Sequence, residues 1–200
     1  MPGDLSVLAA RRTVRFYTPE PVPDDVVHVL LEAARMAPSA HNAQPTRFVV
    51  IRSAQVRRRL TSRMARRWRR DLERAGTSEA AIRVQLRFSE RRFGEAPLLI
   101  LVGYTMEEMD EYPDRARRAA EATMASQSAA AATQNLLLAA AAHGLGGCWC
   151  CAPLFCPSVV RRALGLPAAF TPQALLTIGR PAHTPPMPPR KPLDAIVTYV

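Results

Sequence analysis

The 200-residue chain lacks any apolar run long enough to cross a membrane as a helix. Its longest nearly apolar stretch, Ala129 to Ala142, is interrupted by Thr133, Gln134 and Asn135 and falls short of the roughly 18 residues a spanning helix needs. An acidic residue stands in Met1 to Ser6 and no apolar segment precedes Arg11, so no secretory signal is expected and the chain is expected in the cytoplasm. Cysteine is scarce and clustered. Cys148, Cys150, Cys151 and Cys156 lie within nine residues, whereas a disulfide framework spreads its cysteines to staple distant segments. Reduced packing thiols are the expectation. The C-x-x-C of Cys148 and Cys151 keeps zinc or redox chemistry as the alternative, but no second pair or spaced histidines complete a metal site, and none is expected. Also missing are a phosphate-cradling G-x-G-x-x-G and a Walker loop: Gly144-Leu-Gly-Gly147 has the wrong spacing and precedes a strand. With no H-E-x-x-H and no G-x-S-x-G, standard dinucleotide folds and hydrolases both lose support.

What is present reads as an ordinary folded domain. Apolar residues make up 48% and charged residues 22%, which excludes collagen-like and disordered classes, and the length suits one domain over residues 1–200. The net charge of +10 is local in origin. Eight arginines and no acid lie between Arg57 and Arg70, and without them 19 basic residues face 17 acidic ones. In the same stretch Val56, Leu60, Met64, Trp68 and Leu72 form an i, i+4 stripe, predicting a helix that packs one side and turns its arginines outward. Such a face is a solvated surface, an attractor of anionic ligands, or a nucleic-acid contact.

Leu5 to Arg12 reads as a short helix, and Pro19 to Pro23 as an extended connector. Asp24 or Asp25 opens a helix burying Val27, Leu30, Leu31 and Ala34, which Pro38 ends. Thr46 to Arg52 is a strand. The near-continuous apolar run Ala96 to Tyr104 reads as a central one. From Pro113 and Asp114 an Ala-rich helix of roughly 45 Å runs to His143, where Gly144 supplies the stop; its small residues point to close neighbours. Strands at Gly147 to Cys151 and Gln173 to Ile178 flank a short helix from Ser158 to Leu164. The tail from Pro181 to Pro192 is extended, and Ala195 to Val200 is strand-like.

Arginine forks hold phosphate oxygens bidentately, so Arg11, Arg12 and Arg15 with Arg190 and Lys191 would suit a phosphorylated cofactor if the fold joins the two ends. At these residues the chain resembles a known family. Arg11-Arg-Thr-Val-Arg15-Phe-Tyr, Ala37-Pro-Ser-Ala-His-Asn-Ala-Gln-Pro45, Gly144-Leu-Gly-Gly-Cys-Trp and Pro189-Arg-Lys-Pro-Leu-Asp-Ala-Ile196 are similar, in order and over nearly the whole chain, to signatures of the FMN-dependent nitroreductase family. The resemblance implies an α+β fold, a mixed and mostly antiparallel sheet wrapped by helices, in an interlocked homodimer with FMN at the interface.

Carried over by position, the resemblance implies that Arg11, Arg12, Thr13 and Arg15 hold the flavin phosphate and pyrimidine edge and that Arg190 closes on the phosphate. Arg92 in Ser89-Glu-Arg-Arg92 becomes a ligand of the pyrimidine or ribityl oxygens. Pro38, Ser39, Ala40 and Asn42 come from the partner chain, and Cys151 and Ala152 sit where a backbone amide reaches the flavin N5. The implied activity is hydride transfer from NAD(P)H through FMN to a nitro, quinone or enone acceptor. Within the family, Met64 to Leu72, Tyr112 to Arg115 and Leu154 to Pro157 are similar to the nitroreductase-like domain of the deazaflavin-coenzyme γ-glutamyl ligase, implying a narrower alternative: reduction of a dehydro precursor of that coenzyme. A basic nucleic-acid-binding protein without catalysis is the alternative of another class. His41, inside the signature, is a satisfied loop histidine or a proton donor to substrate.

Overall fold

The computed structural model describes residues 5–200. Its centre is a four-stranded, fully antiparallel sheet of β1 (Thr46–Ile51), β2 (Leu98–Tyr104), β3 (Gly146–Cys150) and β4 (Thr171–Gly179), in spatial order β1-β2-β4-β3. One parallel bridge, Thr13 to Gly147, makes the sheet mixed at the β3 edge. β2 is buried along its whole length because it is paired on both edges and covered on both faces. An apolar run without alternation is the sequence form of such a strand.

Alternate residues of the strands feed two separate cores. Leu98, Ile100, Val102, Ala174, Leu176 and Ile178 point to one face, against α2 (Asp24–Arg35) and α5 (Arg115–Ala142). Leu99, Leu101, Leu175, Cys148 and Cys150 point to the other. There they meet Leu60 and Met64 of α3 (Ala54–Arg74), Phe93 near the end of α4 (Glu79–Gly94), and Val160 and Ala163 of α6 (Pro157–Leu164). Buried Ala125, Ala129, Ala132 and Ala140 let α5 lie close to the sheet and to α2. Ser128 and Thr133 return their hydroxyls to the carbonyls of Met124 and Ala129, so neither hydroxyl is stranded. Asp114 caps α5 by accepting from the Arg117 amide at 2.9 Å, and Gly144, at φ 69°, takes the left-handed position after its end.

The elements read from the sequence keep their bounds to within one or two residues, except at the chain ends, and α4 is an element absent from the sequence reading. The first helix is only Ser6–Ala10, and Met1 to Asp4, where a signal was sought, lie outside the described residues. Ala195 to Val200 is not a strand. The segment begins in a single 3-10 turn, Leu193–Ala195, and the rest is exposed, because β-branched residues form a strand only where a ladder partner exists. Among the described residues no helix is long and apolar enough to cross a membrane.

Candidate functional site

The site grows from the edge of β3. The segment Arg11 to Thr18 runs along it, held by the Thr13 bridge and by the Val14 amide donating to the Gly147 carbonyl at 3.0 Å. Val14 is buried against Gly146, where even a methyl group would stand 2.4 Å from its side chain, so this position requires glycine. The Tyr17 hydroxyl donates to the Val14 carbonyl at 2.6 Å and accepts from the Thr177 hydroxyl at 2.7 Å; burial raises its pKa. Thr18 donates to Arg180, and Ala182 donates to Phe16. The fold therefore joins the start of the chain to the segment after β4. Arg190 lies farther along the exposed tail, with no hydrogen bond or ion pair to any described residue.

Cys148 and Cys150, two residues apart on β3, turn to the same face, with their Sγ atoms 3.5 Å apart. Arg92 of α4 donates from Nη1 to Cys150 Sγ at 3.5 Å, and its guanidinium lies 4.6 Å from the centre of the Phe88 ring, one turn earlier. The hydrogen bond from Cys148 is the main cause that lowers the Cys150 pKa to about 6, with the charges of Arg92 and Arg15 adding to it; the Cys148 thiol is pushed up correspondingly. The C-x-x-C of the sequence does not close: Cys148 is buried within β3, while Cys151, past the end of the strand, is exposed.

A stability prediction follows from Cys150. Between pH 6 and 9 the unfolded thiol keeps its proton while the folded one has lost it, so stability rises with pH across that window. Above pH 9 the raised pKa values of Cys148 and Tyr17 reverse the slope. Calorimetry should therefore give a higher melting temperature at pH 8.5 than at pH 6, and Cys150→Ser should flatten that rise.

Beyond the end of β3 a cavity of about 480 Å3 opens between α3, α4 and the 3-10 turn Ala152–Phe155. Met64, Trp68, Phe88 and Phe155 give it apolar walls, and Arg92, Cys151 and Ala152 border it on the β3 side. The sequence-predicted residues Arg92, Cys151 and Ala152 thus meet in one place, while Arg11, Arg12, Thr13 and Arg15 lie on the strip bridged to β3. Missed in the sequence were Phe88 and Phe155, whose signal would have been two large apolar side chains next to predicted site residues. Among the described residues no carboxylate pairs with Arg11, Arg12, Arg15 or Arg92. The Nε atoms of Arg12 and Arg92 are buried without an acceptor. Of these arginines Arg92 lies on the cavity wall, where Arg67 is already paired with Asp71; a guanidinium with a free Nε beside an apolar wall suits a flat ligand with a polar or anionic edge.

Pro38, Ser39, Ala40 and Asn42 do not line this cavity. Their loop touches α5 through Ala40, whose amide donates to Ser128 Oγ at 3.2 Å; Ser39 Oγ accepts from the Gln44 amide at 3.0 Å within the loop, and Pro38 and Asn42 are exposed. His41, Asn42 and Gln44 all have φ near +50°, an uncommon run of left-handed residues without glycine. His41 Nε2 stands 3.7 Å from Oε1 of buried Glu121, whose Oε2 has no partner.

Against this geometry the comparisons with known proteins agree. Residues 8–180 match the model of the nitroreductase family. An NADH dehydrogenase of Thermus thermophilus is 30% identical over 94% of this chain and 92% of its own. A 5,6-dimethylbenzimidazole synthase of Rhodospirillum rubrum is 33% identical over 89% and 82%. A nitroreductase-like protein of Desulfovibrio desulfuricans, solved in complex with FMN, superposes with a TM-score of 0.76 at 28% identity, covering 100% of this chain and 99% of that one. The antiparallel sheet between two helical layers is that of a nitroreductase-type α+β protein. The chain belongs to the nitroreductase family.

Proposed function

We propose that this chain, an FMN-dependent oxidoreductase of the nitroreductase family, takes hydride from NADH or NADPH and delivers it to a nitro, quinone or enone acceptor seated in the cavity between α3 and α4. The observation that carries this reading is a set of arginines without carboxylate partners: Arg11, Arg12 and Arg15 on the strip bridged to β3, and Arg92 on the wall of an apolar cavity, with the buried Nε atoms of Arg12 and Arg92 lacking acceptors. Those donors fit a phosphate and a pyrimidine edge. Bound FMN supplies two-electron transfer between a nicotinamide and an acceptor.

The chain's own residues do the rest. Arg11, Arg12, Thr13 and Arg15 hold the phosphate and pyrimidine edge, and Arg92 adds a cation that favours the reduced, anionic cofactor. The backbone amides of Cys151 and Ala152 donate toward the reacting edge. Trp68, Phe88 and Phe155 sandwich a flat acceptor and exclude water. Pro38, Ser39, Ala40 and Asn42, and Arg190 on its exposed tail, complete the site across a homodimer. The exposed Leu193, Ile196 and Tyr199 of that tail are the apolar surface a partner protomer would cover. Residues 1–200 act as one FMN-binding unit, and four free cysteines suit the cytoplasm.

The narrower acceptor, a dehydro precursor of a deazaflavin coenzyme, is favoured by one observation. Two of the segments similar to that reductase, Met64 to Leu72 and Leu154 to Pro157, supply much of the cavity wall: Met64, Trp68, Leu72, Phe155 and Cys156. Purified protein is expected to be yellow, dimeric by light scattering, and able to oxidise NADH or NADPH anaerobically when an acceptor is present. Flavin reoxidation across a panel of acceptors ranks the substrates. A colourless protein that refuses added FMN rejects the enzyme reading, and a monomer with full flavin occupancy rejects the shared site.

A further inference from the structure

α3 presents a second arginine cluster on its other face. Arg63, Arg66 and Arg70 are spaced i, i+3, i+7 and so project from one side of the helix. There they meet Arg162 of α6 around an open groove of about 430 Å3 floored by Val159. Arg63 also donates to the Arg162 carbonyl at 3.4 Å, tying the two helices at this point.

The acids of α3 are engaged elsewhere. Asp71 holds Arg67 at 3.0 Å and lies 4.0 Å from Arg74, and Arg69 pairs with Glu73 and, at 3.0 Å, with Glu79. Among the described residues none of the four groove arginines has a carboxylate partner, and no acid lines the groove. Four like charges brought together by two different helices repel one another unless an anion lies between them. Each offers a planar fork matched to phosphate or carboxylate oxygens. Arg67 faces the other cavity, so the two sites share α3 as a wall without sharing a residue.

We infer that the groove between α3 and α6 binds an oligoanionic small molecule, one carrying two or more closely spaced phosphates or carboxylates, through Arg63, Arg66, Arg70 and Arg162. The site is separate from the flavin residues and stands whether or not FMN binds.

The probe is inorganic tripolyphosphate, titrated calorimetrically into the FMN-loaded protein at low salt, with citrate as the carboxylate counterpart and orthophosphate as the single anion. One equivalent of tripolyphosphate or citrate is expected to bind, at least 10-fold tighter than orthophosphate, and the tighter of the two identifies the chemistry. Arg66→Gln and Arg162→Gln are each expected to weaken binding about 10-fold, whereas Arg69→Gln, already paired, leaves it unchanged. Flavin content and melting temperature are expected to hold in all three. Equal losses in the three variants would mean a diffuse field and overturn the site, as would no binding by the unmodified protein. Duplex DNA bound more tightly than either probe at physiological salt, through the same arginines, would overturn it in favour of nucleic acid. A protein that rejects FMN yet binds tripolyphosphate through these residues refutes the flavin reading and keeps the groove.

Discussion

FMN affinity is expected to fall by about 30-fold or more in Arg11→Ala and again in Arg92→Ala. Removing one guanidinium from a charge-assisted contact with a phosphate or pyrimidine oxygen costs about 2 kcal/mol, and every 1.4 kcal/mol is roughly tenfold in affinity. The Arg11 guanidinium has no hydrogen bond or ion pair to any described residue, and its backbone bonds to Val7 and Arg12 survive the substitution, so its loss breaks no side-chain contact within the protomer. Arg92 differs, because it also donates to Cys150 and lies over Phe88. Arg92→Ala should therefore raise the Cys150 pKa above its present value of about 6, seen as thiolate absorbance appearing at higher pH in the flavin-free protein. Quenching of flavin fluorescence on titration measures the affinity. Unchanged affinity in both variants would make these arginines ordinary surface charge. Arg190→Ala separates the shared site from a one-chain site: the exposed tail arginine matters to FMN only if a dimer brings it to the phosphate.

A larger disturbance is expected from Gly146→Val. A Cβ at that position would lie 2.4 Å from Val14 Cγ2 and 2.6 Å from Val14 Cβ, and Val14 is buried with no room to retreat. The segment must peel from β3, losing the Val14 to Gly147 hydrogen bond and carrying Arg12, Thr13 and Arg15 with it. Overpacking costs about 1–3 kcal/mol and the lost hydrogen bond about 1 more, which in a chain of this size lowers the melting temperature by roughly 5–15 °C. FMN binding should fall with it. Gly94→Ala is the control, since nothing lies within 4 Å of the added methyl and its φ is ordinary; stability should hold or rise slightly. A Gly146→Val protein as stable as its parent would show that the strip is not locked in this way.

The elements that sequence reading recovers best are those whose pattern and packing agree. β2 is an unbroken apolar run because two partners and two helical layers cover it, and the ends of α5 are marked by Asp114 and Gly144. In α3 the stripe is only partly core: Leu60 and Met64 are buried, while Trp68 turns to the cavity wall. α4 had no reading. Ile82, Val84, Leu86 and Phe88 alternate with a period of two, which is no helical signal, and Val84 and Phe88 are exposed. The site was legible where a motif continues along the chain, as at Arg11 to Arg15. It was illegible where two distant segments meet: nothing in the sequence sets Arg162 beside Arg66, or tells the paired Arg69 from the unpaired Arg70.

The strand order β1-β2-β4-β3 also governs how the chain reaches this state. No two paired strands form a hairpin: α3 and α4 separate β1 from β2, α5, β3 and α6 separate β2 from β4, and α6 separates β3 from β4. Every ladder must close a long loop before it gains any contact, and such non-local pairing slows folding. Until the ladders close, the helices, whose hydrogen bonds are local, have no sheet to pack against. During that wait the apolar sequence of β2 is uncovered with both edges unpaired, the condition in which chains pair with one another. Refolding yield should accordingly drop as protein concentration rises.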